Sequence, residues 1–146
     1  MRMNAWIIST GILILGGFTI PVEVLEPVRH GSKAWSFAMT DPMLHIGALG
    51  LFAVVAGLSW RENAGRMGRA ALHLKVALFS ALYGLFVEIY QAVLPWRFFG
   101  FDDLLFNGIG VVAGLVVLTV FFRYGECVHI RKAARVVVNS EKGRRI

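Results

Sequence analysis

The chain has 146 residues, of which 57% are hydrophobic and 16% charged, with a net charge of +6 and a mean hydropathy of +0.66. Soluble domains carry about 25% charged residues and spread their apolar residues in amphipathic patterns; here the apolar residues come in long blocks, which argues for a single-domain integral membrane protein. The lone cysteine, Cys127, excludes an internal disulfide and a cysteine-based metal cage.

The first block, AWIISTGILILGGFTI, is free of charge and predicts a span over about residues 5–21. Only Arg2 precedes it and no A-x-A-like site follows, so it reads as an uncleaved span rather than a signal peptide. Its Gly16-Gly17 pair reads as a site of close helix contact. Residues 21–42 hold Pro21, Pro27, Gly31 and Pro42 and read as a loop, with a short interfacial piece around Trp35 and Phe37. Thr40 or Asp41 can cap the next helix, with Pro42 at its first position.

A second span is expected over residues 43–60, with His45 as its ionisable residue and Trp60 at its far end. A basic hinge, RENAGRMGR, leads to a third span over 71–94, where Lys75 can snorkel outward. Pro95 ends that span, Trp96 marks its boundary, and a short loop over 96–103 returns the chain. The fourth span is expected over 104–122, with Gly108, Gly110 and Gly114, and residues 123–146 form a basic, weakly amphipathic tail. Tryptophans 6, 35, 60 and 96 read as interface anchors. The expected fold is therefore all-α: a four-helix transmembrane bundle over 1–122, its third and fourth helices an antiparallel hairpin, followed by the tail.

The basic residues set an expected orientation. With four spans, twelve of the fifteen lysines and arginines fall on the side of the termini and the hinge, leaving Arg29, Lys33 and Arg97 on the other. Both termini are then cytoplasmic, in the inner membrane of a bacterium. The positive charge is a topology signal and a surface for anionic lipid. Nucleic-acid binding has no aromatic–basic module to support it.

Polar residues inside the apolar blocks need a reason, because a mid-helix carboxylate costs about 2.5–3.5 kcal/mol on insertion scales. Asp41 with His45, Glu88 with Gln91, and Asp103 with Asn107 are spaced three or four apart, so each pair shares a helix face. In this topology all three pairs lie near the outer ends of their helices; Glu88 is about 10 Å in from Pro95. They outline a recessed polar pocket, with Arg97, His45 and Asn107 as candidate partners for Glu88. Plainer readings stand beside this one. Asp41 or Asp103 can be a helix cap, and His45 a hydrogen-bonding core residue. Glu88 and Gln91 can be glue between helices, and Arg97 can neutralise Asp102 and Asp103 or bind lipid phosphate. Gly84, Gly110 and Gly114 continue the polar stripes as packing positions.

At these residues the chain resembles the VanZ-like family of small bacterial membrane proteins. That family shows an Asp-Lys-x-x-His helix start, a Tyr-Gly-x-x-x-Glu-x-x-Gln helix followed by Pro-x-Arg, then Asp-x-x-x-Asn-x-x-Gly. Tyr83, Gly84, Glu88, Gln91, Pro95 and Arg97 fit, as do Asp103, Asn107, Gly110 and Gly114. Asp41 and His45 fit the first part, but Pro42 stands where the family has lysine, and Leu49 where it often has an aromatic. Arg97 is the cation available in the lysine's place. The resemblance covers about residues 41–118. Its founding member is associated with low-level teicoplanin resistance, so the resemblance implies a cell-envelope role.

Three functions compete. The pocket can bind an amphiphile, a lipid-linked envelope precursor or a lipoglycopeptide, with Arg97 on its phosphate and Glu88, Asp103 and His45 as hydrogen-bonding groups. The chain can instead be an accessory subunit of a larger membrane complex. It can also be an enzyme on a phosphate or glycosyl substrate, with the carboxylates and His45 as acid and base. No nucleophile motif, phosphate loop or metal-site spacing supports the third, and no cofactor or metal is expected. No inverted repeat supports a transporter.

Overall fold

A computed structural model describes residues 5–20, 41–61, 68–97 and 99–143, with side chains as far as Gly125. The interfacial piece at Trp35 and Phe37, the Thr40 cap and most of the basic hinge fall outside the described residues. Among the described residues the chain forms four helices: α1 (Ala5–Thr19), α2 (Asp41–Ser59), α3 (Arg69–Val93) and α4 (Phe101–Gly143). The all-α bundle read from the sequence is the fold observed. α2, α3 and the Phe101–Gly125 part of α4 are long and apolar enough to cross a membrane. α1 is equally apolar but has 15 residues. At 1.5 Å per residue that is about 22 Å, short of the ~30 Å hydrocarbon core.

Local chemistry sets the helix ends. Leu94 precedes Pro95, and the proline ring pushes it out of the helical region, to φ −80° and ψ 132°. Its N–H bonds to the Gln91 carbonyl at 3.0 Å, and Arg97 N–H bonds back to Leu94 at 3.2 Å, so the chain turns at once. α4 opens beyond Gly100 with Asp102 and Asp103 in its first turn, where their charge suits the positive end of the helix dipole. The far end differs from expectation. The helix does not stop at residue 122 but runs on to Gly143. The switch from apolar to basic residues marks where helix chemistry meets water, but it is not a helix stop. No proline follows Pro95, and Arg, Lys, Ala and Glu in the tail are good helix formers.

α3 begins after Gly68, whose φ of +76° and ψ of 154° lie in a region that essentially only glycine occupies. Gly68→Ala is therefore expected to lower stability by about 1–3 kcal/mol. Thermal unfolding of the purified protein in detergent checks this.

The bundle is organised by α2 against α4. Here the backbones touch. A Cβ on Gly110 would lie 2.5 Å from the Ile46 carbonyl oxygen, and one on Gly114 would lie 2.5 Å from that of Gly50. Gly57 on α2 accepts the Leu118 side chain in the same way. Small residues four apart on both helices let them approach this closely. Gly110 and Gly114 thus face the bundle's own α2.

A ladder of rings fills the core between α2 and α3. Phe52 stacks on Tyr83 at 4.3 Å between centroids and on Phe79 at 5.6 Å, and Trp60 meets Phe79 edge-on at 5.1 Å. Trp60, just past the end of α2, is buried in the bundle, with Lys75 Nζ 4.3 Å above its ring. The cation covers the face of the indole. α1 is tied to α3 at its middle and at its C-terminal end: Tyr83 donates a hydrogen bond to the Gly11 carbonyl, and the Thr19 hydroxyl meets that of Tyr90 at 3.2 Å. Trp96 Nε1 donates to the Thr19 carbonyl at 3.3 Å.

One reading of the sequence is overturned. Among the described residues Gly16 and Gly17 mediate no close contact; a Cβ at either would meet nothing within 4 Å. Ile7, Gly11, Ile14 and Phe18 form the buried face of α1 instead, and the glycine pair lies beside that stripe. Among the described residues this leaves open space along one side of α1.

Candidate functional site

The C-terminal ends of α1 and α3 and the N-terminal ends of α2 and α4 meet at one end of the bundle. Asp41 and His45 occupy the first two turns of α2, Glu88 and Gln91 the last turns of α3, and Asp103 and Asn107 the first turns of α4. The folded chain brings most of them together. Asn107 is the centre: its Nδ2 donates to Glu88 Oε1 at 2.9 Å, and its Oδ1 lies 3.0 Å from His45 Nδ1. With the amide so placed, His45 Nδ1 carries a hydrogen and donates it. That nitrogen is also 3.4 Å from Glu88 Oε1, and the ring's other nitrogen is 3.8 Å from Asp103 Oδ1.

The cluster is sealed. His45, Glu88, Gln91 and Asn107 are each no more than 2% exposed, whereas the Asp103 side chain is 29% exposed. Gly84 makes room for it: a Cβ there would sit 3.3 Å from Asn107 Cβ. Phe18 of α1 closes the top, stacked on the His45 ring at 4.5 Å. Glu88 Oε2 is buried and makes no hydrogen bond among the described residues. Asp103 folds back over Gly100; a Cβ there would come 2.6 Å from its Oδ2.

Arg97 takes a different place from that expected. Its Nη1 lies 3.6 Å from Asp41 Oδ2, while Glu88 is met by Asn107 and His45. The cation therefore comes to the start of α2 from the α3–α4 connection. Pro42, where the resemblance noted above would have a lysine, lies in the same turn of α2 as Asp41. The Arg97 side chain is only 11% exposed, its Nε is buried without a partner among the described residues, and its contact with Asp41 exceeds hydrogen-bond length. Asp41 is itself 49% exposed.

Among the described residues a groove opens at this end of the bundle. It lies next to the polar cluster, has a volume of about 220 Å³ and is lined by Ile14, Gly17, Phe18, Ile20, Leu44, Ala48 and Arg97. Sequence reasoning placed no site residue on α1. The signal was present in Gly16-Gly17, but a glycine pair says only that side chains are missing. Whether a neighbour or an opening takes their place depends on how α1 is rotated. Among the described residues no group of three or more His, Cys, Asp and Glu is placed to hold a metal ion.

No curated protein and no solved structure matches the chain. The family model described as VanZ/LLP1 matches residues 12–122, from the middle of α1 through the apolar part of α4. The match takes in every polar residue of the cluster, Arg97 and every lining residue of the groove. With its apolar helices and this match over more than half of its length, the chain is a membrane protein that belongs to the VanZ/LLP1 family.

Proposed function

We propose that this protein lies in the bacterial cytoplasmic membrane with both termini inside, and that the outward end of the bundle binds the anionic headgroup of a cell-envelope amphiphile. The orientation is supported by the crowding of basic residues at the termini and the hinge. The observation that carries the binding reading is Arg97. A guanidinium that is mostly buried, loosely paired to a half-exposed Asp41 and set beside an apolar groove is a poor way to stabilise a bundle. It is a good way to hold an anion at the edge of hydrocarbon, since its planar fork matches phosphate or carboxylate. The sealed His45–Asn107–Glu88 network then serves as the rigid floor that fixes α2, α3 and α4 around the site. Lipid-linked envelope precursors and lipoglycopeptides are the ligands of this chemistry.

The test separates binding from folding. Arg97→Ala and Glu88→Gln are expected to insert and accumulate near wild-type levels, since Gln keeps the shape of Glu88 and an oxygen for Asn107. Arg97→Ala is expected to reproduce the sensitivity of a deletion strain under envelope stress, whereas Glu88→Gln, in the floor and away from the anion, is expected to grow like wild type. Immunoblots of membrane fractions beside growth under cell-wall-active compounds provide the measurement. A fall in the abundance of Arg97→Ala that tracks its phenotype would make Arg97 structural and remove the binding reading.

A further inference from the structure

We infer that the groove between α1 and α2 seats one hydrocarbon chain of a phosphate-bearing amphiphile, whose phosphate is held by Arg97. This inference rests on the headgroup reading above and adds where the ligand's tail goes.

The groove has the properties such a seat needs. Its walls are Ile14, Phe18, Ile20, Leu44 and Ala48, with Gly17 supplying the gap. In a bilayer an apolar groove of this kind fills with hydrocarbon, because its walls otherwise lose their dispersion contacts. At about 220 Å³ it is smaller than the ~300–1,000 Å³ pockets that bury whole drug-sized molecules. It therefore suits a slender chain rather than a ring system. Arg97 belongs to the same lining, so one end is cationic and the rest apolar. That polarity orients an anionic amphiphile and gives a neutral lipid nothing to hold. Phe18 forms a wall of the groove on one side and stacks on His45 on the other. The chain seat and the polar network therefore share one side chain.

Two adjacent glycines give a matched test. Both have open space where a side chain would go, but only Gly17 lines the groove. The full-length protein, in phosphatidylcholine nanodiscs, is photolabelled with hexadecyl phosphate carrying a terminal diazirine, and labelled peptides are mapped by mass spectrometry. Wild type and Gly16→Leu are expected to be labelled at the α1–α2 groove, in competition with unlabelled hexadecyl phosphate but not with hexadecanol or inorganic phosphate. Gly17→Leu is expected to cut that labelling about tenfold or more, as when two or more methylene groups of the chain lose their seat. Arg97→Gln is expected to cut it as well. Ala48→Leu, which fills the opposite wall, serves if Gly17→Leu does not accumulate.

Labelling spread over all lipid-facing helices and unchanged by Gly17→Leu would reduce the groove to ordinary lipid contact and overturn the inference. Loss with Arg97→Gln but not with the groove-filling variants would leave the headgroup reading standing and refute the chain seat. Loss with the groove-filling variants but not with Arg97→Gln would break the link to phosphate and overturn the inference as stated. No loss in any variant would defeat both readings.

Discussion

Gly110→Leu is expected to remove most of the folded protein, at a cost of about 3 kcal/mol or more. The reason is the depth of the contact. A Cβ at this position would already lie 2.5 Å from the Ile46 carbonyl oxygen and 3.0 Å from its Cα. Those atoms are backbone and cannot rotate aside as a side chain can. To accept leucine, α2 and α4 must separate, and the neighbouring Gly50–Gly114 contact opens with them. Gly108, two residues earlier on the same helix, has nothing within 4 Å of a Cβ, so Gly108→Leu is expected to change stability by no more than about 0.5 kcal/mol. Membrane abundance and thermal unfolding in detergent distinguish the pair. Equal behaviour of the two variants would show that the helices do not meet at Gly110.

Asn107→Leu is the second large effect, expected to cost about 2–5 kcal/mol through two stranded buried groups. His45 Nδ1 loses its 3.0 Å acceptor and Glu88 Oε1 its 2.9 Å donor. The 3.4 Å separation of those two atoms limits the loss, because they can close on each other. The pairing makes a further demand. Combining Asn107→Leu with Glu88→Leu is expected to cost less than the two changes added, with a coupling of about 0.5–3 kcal/mol. Unfolding of the two single variants and the double variant in one detergent measures it. Simple additivity would mean that Asn107 and Glu88 do not share a network.

What the sequence disclosed follows from how local its signals are. Apolar runs of membrane length gave three of the helices to within a few residues, and the Leu94-Pro95 step gave a sharp end to α3. The spacing of Asp103, Asn107, Gly110 and Gly114 put those residues on one stripe before any partner was known. Partner choice was less legible. Arg97, His45 and Asn107 were all reasonable mates for Glu88, and only the rotation of α2 and the turn at Pro95 send Arg97 to Asp41 instead. The end of α4 was hidden for another reason: polarity reports the edge of hydrocarbon, whereas a helix ends where its backbone is interrupted. The groove was least legible of all. It exists because α1 turns Ile14 and Phe18 inward and leaves Gly17 beside an opening, which is a fact about orientation and not about composition.

The glycine contact between α2 and α4 also sets an order of events during synthesis. A chain is made from its N-terminus, so α2 enters the bilayer well before its tightest neighbour exists. α3 comes between them, bringing Glu88 into the membrane while the Asn107 amide is still unmade. The bundle can close only when α4 arrives, and that one helix delivers Gly110 and Gly114 to α2 and Asn107 to both His45 and Glu88. Insertion and assembly are therefore separate in time for this protein, and its last helix is the one that completes it.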